Sequence, residues 1–245
     1  MSEEMNRRKF GTLAAATAAV GVATIQGSAL AQRAGVARTP PPTLVAAPSV
    51  HAMVPLPFAP ASLPGLSERM LTSHHTNNYA TAVRKLNEIR QQLGTADPAG
   101  AGGYWSMYGS LRSAELGARN SSLLHEMYFA NLAAAQTQPL PLAQMLSERF
   151  GGADRFQAQL RGATRASNGW VVLVVDPASR TLELVATEGH AFGSWSATPV
   201  LVLDVYEHAY AIDFGADKNA YFDAFWRNIA WNEVHARATR AIGRL

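Results

Sequence analysis

Apolar residues recur at helical spacing between Leu66 and Leu93, through Met70, Leu71, Tyr79, Val83, Leu86 and Ile89, and predict a long amphipathic helix. Gly94 and then Asp97-Pro98-Ala99-Gly100 stop it, and the Gly- and Ala-rich stretch 98–108 reads as a loop. Leu116, Leu123, Leu124, Met127, Tyr128 and Leu132 predict a second helix over about 111–134, with Pro139 and Pro141 ending this helical half. The pattern then changes. Short helices are expected at 141–149 and 153–166, followed by a buried strand at 170–175 and a turn at Asp176-Pro177-Ala178-Ser179. Thr181–Thr187 alternates like a returning strand, and Pro199–Tyr206 is a third apolar strand. Two aromatic-rich helices, about 219–227 and 229–243, close the chain. The expectation is an α+β fold: an N-terminal helical hairpin, then a C-terminal part with a small three-stranded antiparallel sheet flanked by helices.

The first 55 residues follow neither period. Arg7, Arg8 and Lys9 precede Phe10 and an Ala-rich apolar stretch running to about Ile25, and Ala29-Leu30-Ala31 supplies a small-x-small cleavage pattern. Paired arginines before a modestly hydrophobic core resemble a twin-arginine export signal, which places the mature protein in the periplasm or outside the cell after cleavage near Ala31. A membrane anchor needs about 20 strongly apolar residues, and Ala, Thr and Gly do not supply them. Residues 32–55, with Pro40, Pro41 and Pro42 in a row, read as an extended leader. The chain therefore divides into 1–31, 32–55, 56–137 and 138–245, with the folded part expected from Leu56.

Composition narrows the chemistry. Apolar residues make up 48% and charged residues 16% of the 245, the balance of a folded protein. There is no cysteine, which excludes disulfides, thiolate metal sites and cysteine nucleophiles, so any metal is held by His, Asp, Glu or backbone oxygen. The net charge of +3 is small and the Lys and Arg residues are scattered, which argues against a nucleic-acid partner.

Seven histidines remain to be explained. His51, in the leader, and His235, in the polar last helix, read as bystanders. His125 lies among bulky apolar neighbours in Leu123-Leu124-His125-Glu126-Met127-Tyr128-Phe129. Asp204 ends an apolar strand and His208 follows four residues later. A carboxylate buried bare is very costly, so Asp204 is expected to be paired or metal-bound. Imidazoles with a carboxylate and no sulfur suit Mn, Fe or Zn. The His-Glu-x-x-His pattern of a zinc hydrolase is missing.

From Leu56 to the C-terminus the residues resemble the iron/manganese superoxide dismutase family. Leu56-Pro57-Phe58-Ala59, Ser73-His74-His75, Leu124-His125-Glu126-Met127-Tyr128-Phe129, Asn168-Gly169-Trp170, Asp204-Val205-Tyr206-Glu207-His208-Ala209-Tyr210 and the closing Phe225-Trp226-Arg227-Asn228-Ile229-Ala230-Trp231 match its motifs in order. The resemblance implies that His74, His125, Asp204 and His208 bind one Fe or Mn ion per subunit, with a solvent in the fifth position, in the part from 138 to 245 and its helical partner. It implies superoxide as substrate, Trp170 as a wall of the pocket, and a homodimer or homotetramer using Glu207 and His208. His190 aligns with the loop position where many members carry Gln, and takes the hydrogen bond to the solvent.

The sequence also departs from the family. Where the first helix usually carries a gateway His and Tyr, this chain has Asn78 and Ala82, at i+4 and i+8 from His74, and the interface Tyr becomes Ala211. A proton would then come through water, or from Tyr79 swinging in. Two other readings stand beside the dismutase: a catalytically weak, metal-binding relative in the cell envelope, favoured by the altered gateway, and a non-haem iron oxygenase, disfavoured by a third imidazole at His74.

Overall fold

A computed structural model describes residues 49–243; the expected export signal and most of the expected leader lie outside them. Among the described residues eight α-helices, α1 (Glu68–Ser73), α2 (Ala80–Thr95), α3 (Met107–Ala130), α4 (Leu140–Phe150), α5 (Ala153–Ala166), α6 (Ala211–Phe214), α7 (Lys218–Arg227) and α8 (Trp231–Gly243), accompany three strands, β1 (Trp170–Asp176), β2 (Thr181–Thr187) and β3 (Thr198–Asp204). The α+β expectation is met: a helical hairpin precedes an antiparallel sheet of order β2-β1-β3. None of the described helices is long and apolar enough to cross a membrane.

Local chemistry sets the ends of these elements. Ser67 caps α1 by accepting from the Met70 N–H, and Ser106 caps α3 through Gly109, so α3 starts four residues before its apolar pattern does. Asp217 caps α7 through the N–H groups of Asn219 and Ala220. Gly151, at φ 80°, closes α4 in the left-handed conformation that a Cβ disfavours. The end of α3 falls at Ala130 rather than 134 because the chain is taken up by the α7–α8 corner. There the Ala133 N–H donates to the Asn228 carbonyl at 2.8 Å and the Ala230 N–H to the Asn131 carbonyl at 2.6 Å.

The first helix is interrupted where the sequence predicts continuity. His74–Tyr79 forms a π-helical segment between α1 and α2, with the Ala80 N–H reaching the His75 carbonyl five residues back. A π turn aligns i with i+5, so His74 and Tyr79, each 1% exposed, face inward together. The α-helical register assumed for Asn78 and Ala82 does not hold through this segment; Asn78 is half-buried and Ala82 is buried.

The sheet carries the other half of the core. β1 is central and its residues Trp170–Val175 are buried; β3 is an edge strand, where Pro199 costs no ladder bond, opposite a register shift between Leu173 and Val174. The register sets Trp170 opposite Asp204 on β3 and Thr187 on β2. Gly169 precedes Trp170 because a Cβ there would lie 2.1 Å from the Thr187 carbonyl oxygen. Residues of both halves share one hydrophobic core, from Leu63 and Phe129 to Val202 and Phe225. The division at 137/138 thus marks a change of pattern rather than a gap between cores.

Two boundaries are corrected. The strand expected to reach Tyr206 ends at Asp204, whose Oδ1 accepts the Tyr206 N–H at 3.0 Å and turns the chain. Ordered contacts also begin before Leu56: the His51 N–H donates to Asn87 Oδ1 at 2.8 Å and its Nε2 lies 2.6 Å from Glu126 Oε1. His51 is therefore no bystander. Such contacts are polar and partly main-chain, so no apolar period announces them.

Candidate metal centre

Four elements deliver one side chain each to a single point. His74 comes from the π segment, His125 from α3, Asp204 from the end of β3 and His208 from the 3₁₀ turn Glu207–Ala209. Their ligand-type atoms all lie within 4.8 Å of one another. The Nε2 atoms of His74, His208 and His125 lie 3.1, 3.3 and 3.5 Å from one oxygen, Asp204 Oδ2. Asp204 is wholly buried, His74 and His125 nearly so, and His208 keeps 27% of its side chain exposed.

Neighbouring groups fix His125 and Asp204 in a state suited to binding a cation. The Nδ1–H of His125 donates to the Ser121 carbonyl at 2.7 Å, which leaves its Nε2 lone pair facing the cluster. That Nε2 is buried and has no hydrogen-bond partner among the described residues. Tyr221 donates from its hydroxyl to the Asp204 carbonyl at 2.8 Å and lies 3.1 Å from the Tyr128 hydroxyl; the Tyr128 ring packs on His74 at 5.0 Å. Burial raises the pKa values of both tyrosines, so these links stay protonated.

Electrostatics agree with the geometry. Burial lowers the pKa of His74, only partly opposed by its hydrogen bond to Asp204, and lowers that of His125 to about 3. For Asp204 burial alone acts upward, but the hydrogen bonds to His208 and His74 and the nearby imidazoles hold it well below the usual carboxylate range. Near neutrality the cluster thus holds a carboxylate against at least two uncharged imidazoles. Three nitrogen donors and one oxygen donor, crowded around one point and short of protons, fit a borderline first-row cation. Among the described residues this is the one group of at least three such side chains that could hold a metal.

The surrounding wall is aromatic. The Trp170 ring meets His125 edge-on at 5.1 Å, and its Nε1–H donates to His190 Nδ1 at 3.0 Å. Asn120, on α3, holds the His190 carbonyl at 2.8 Å. The His190 ring lies 4.8 Å from that of Tyr206, which stacks on His208 at 5.4 Å and 8°. Burial lowers the His190 pKa, so its ring is a neutral donor through Nε2. Tyr206 lies between Asp204 and His208 in the sequence, but only the turn after β3 brings its ring onto both His190 and His208. Tyr221 left no signal, since its contact with Asp204 spans 17 residues and two elements.

One expectation changes. Tyr79 does not swing toward the centre: its hydroxyl donates to Glu126 Oε1 at 2.9 Å and accepts the Val54 N–H at 2.8 Å. Burial pushes its pKa up to about 12, the Val54 N–H opposing and Glu126 adding to the rise. It is a bridging residue whose ring lies over His125 at 6.1 Å, and its hydroxyl is not free to supply a proton. His75 also stands apart from the cluster, with its Nε2–H donating to the Val54 carbonyl at 2.9 Å.

Comparison with known proteins adds a separate line. Residues 138–237 match the family described as iron/manganese superoxide dismutases, C-terminal domain. The iron superoxide dismutase of Cupriavidus metallidurans is 38% identical over 196 residues, covering 79% of this chain and 98% of that protein. The manganese superoxide dismutase 1 of Halobacterium salinarum is 32% identical over 202 residues, 80% of this chain and 98% of that protein. The iron superoxide dismutase of Aquifex aeolicus is 32% identical over 189 residues, 75% and 89% of the two chains.

Proposed function

This chain belongs to the iron/manganese superoxide dismutase family, and on that footing we infer that it converts superoxide to dioxygen and hydrogen peroxide with one iron or manganese ion per chain. The observation that carries the reading is the convergence of three imidazole Nε2 atoms on Asp204 Oδ2, at 3.1, 3.3 and 3.5 Å, inside an aromatic shell. A bound iron or manganese ion would supply one-electron redox chemistry, with superoxide serving as both reductant and oxidant. His74, His125 and His208 would hold it through nitrogen, and Asp204 through oxygen.

The protein's other residues keep that arrangement in place. Ser121 fixes the tautomer of His125, and Tyr221 fixes the backbone of Asp204. Trp170 and Tyr206 line the walls and exclude bulk water. His190, held at Nδ1 by Trp170, offers its Nε2–H as a hydrogen-bond donor in the role that family members give to Gln.

One observation favours a second reading, a metal-binding relative with weak activity. Asn78 and Ala82 stand where the family has its gateway His and Tyr, and Tyr79 is engaged elsewhere. Purified protein loaded separately with Fe and Mn separates the two. Superoxide consumption proportional to bound metal supports the dismutase. One ion per chain with no acceleration supports the weak relative.

The proposal extends to location and assembly. Arg7-Arg8 and Ala29-Leu30-Ala31 support twin-arginine export and a periplasmic or secreted mature protein. Glu207 is exposed beside the partly exposed His208, which supports a homodimer or homotetramer through that pair. Cell fractionation with Arg7→Lys/Arg8→Lys, and sedimentation of Glu207→Ala, test these two points.

A further inference from the structure

The segment Ser49–Pro55 makes a run of polar contacts that nothing in the metal-site motifs requires. Arg90, on α2, donates from Nη1 to the Ser49 carbonyl at 3.1 Å. Asn87 takes both main-chain groups of His51: its Oδ1 accepts the N–H at 2.8 Å and its Nδ2 donates to the carbonyl at 2.9 Å. The His51 ring reaches α3, with Nε2 2.6 Å from Glu126 Oε1. The Val54 N–H donates to the Tyr79 hydroxyl and its carbonyl accepts from His75, at 2.8 and 2.9 Å.

These contacts end on residues next to metal ligands. Glu126 follows His125, and His75 follows His74. Glu126 Oε1 accepts from His51 and also from Tyr79. Tyr79–Glu126 is the one side-chain hydrogen bond, among the described residues, that joins the π segment to α3. The Tyr79 ring lies over His125 at 6.1 Å and 28°. On the other side Phe129 packs on both His74 and His75, at 5.0 and 5.2 Å.

We propose that Ser49–Pro55 is a strap that braces the two ligand-bearing helices, and that His51 is a positioning residue for the metal centre, acting through Glu126 and Tyr79 on His125. The physical reason is the state of Glu126, whose side chain is only 19% exposed. A largely buried carboxylate is stable in one rotamer only while its donors remain. With His51 removed, Glu126 turns toward solvent, Tyr79 loses its acceptor, and the ring over His125 is no longer fixed. Metal retention depends on such orienting partners, whose loss typically weakens affinity or activity by about 10–100-fold. The inference rests on the metal-site reading above.

The test uses the full chain and three proteins: wild type, His51→Ala and His51→Gln, whose amide can still donate to Glu126. Each is loaded with Mn, and loss of the ion to excess EDTA is followed with the visible absorption of the oxidised metal. The expected result is roughly tenfold faster loss and an altered spectrum for His51→Ala, with unchanged far-UV circular dichroism, and recovery in His51→Gln. Equal retention in His51→Ala and wild type overturns the proposal. So does equal impairment of the two variants, since packing alone would then explain it. If wild type retains neither Mn nor Fe, the functional reading fails, and the strap is judged by NMR of the metal-free proteins. There, the His125 ring resonances shift in His51→Ala and return in His51→Gln; resonances unmoved by His51→Ala overturn it.

Discussion

The indole Nε1–H of Trp170 donates to Nδ1 of His190 across 3.0 Å, joining the first residue of the central strand to the loop beyond its neighbour. This bond selects the tautomer of His190 and leaves Nε2 as its donor. Trp170→Phe keeps an aromatic ring against His125 but removes the selection. It is expected to lower kcat/KM by about 10–100-fold and to change the pH–rate profile. Steady-state superoxide consumption between pH 6 and 10, on samples of equal metal content, checks this.

Asp204→Asn retains the shape of the side chain and deletes the one buried negative charge at the centre. Three imidazoles then face the cation with no compensating anion. Metal content after dialysis should fall at least about tenfold. The metal-free variant should remain folded, since the Tyr221 bond goes to the main-chain carbonyl and survives the change.

Acid should destabilise the metal-free protein before it affects ordinary surface groups. In the unfolded chain a histidine titrates near its usual 6.5, whereas folding holds His125 at about 3. Asp204 is likewise held below its ordinary value. In both cases the unfolded state binds more protons as the pH falls, so stability drops with decreasing pH. The decline begins near pH 6.5 from His125, with Asp204 adding to it below about 3.8. Urea midpoints of the metal-free protein at pH 7.5, 6 and 5 measure it; a flat series contradicts it.

Restoring the gateway tests the altered funnel. Asn78→His with Ala82→Tyr should raise turnover or shift its pH dependence in the metal-loaded protein. Ala82 is only 8% exposed, so the added ring also overpacks its site, at a cost of about 1–3 kcal/mol. Turnover and thermal midpoint measured together separate the two effects. Unchanged turnover and pH profile in a folded double variant mean that these positions do not govern proton delivery.

His125 and Asp204 were legible because each is a polar residue set in an apolar element, a placement that burial penalises unless a partner exists; His208 followed from its spacing to Asp204, and His74, set among Ser73, His75 and Thr76, only from the resemblance of its motif. The sheet was legible from an unbroken apolar run: the six consecutive apolar residues Trp170–Val175, all buried, demand two covered faces. What stayed hidden depends on contacts between elements. The π segment keeps nearly the same apolar pattern as an α-helix, so nothing in Met70–Val83 announces the shifted register. The strap is held largely by main-chain groups of Ser49, His51 and Val54, which every sequence possesses, and the His51 ring meets Glu126 from 75 residues away. Tyr206 and Tyr221 act by meeting partners across turns, and their spacing looks like ordinary core.

An anomalous difference map at the Mn or Fe edge, from crystals of the loaded protein, tests the central claim most directly. The account predicts one peak per chain, enclosed by Nε2 of His74, His125 and His208 and Oδ2 of Asp204. A peak elsewhere, or an ion held without Asp204, contradicts it.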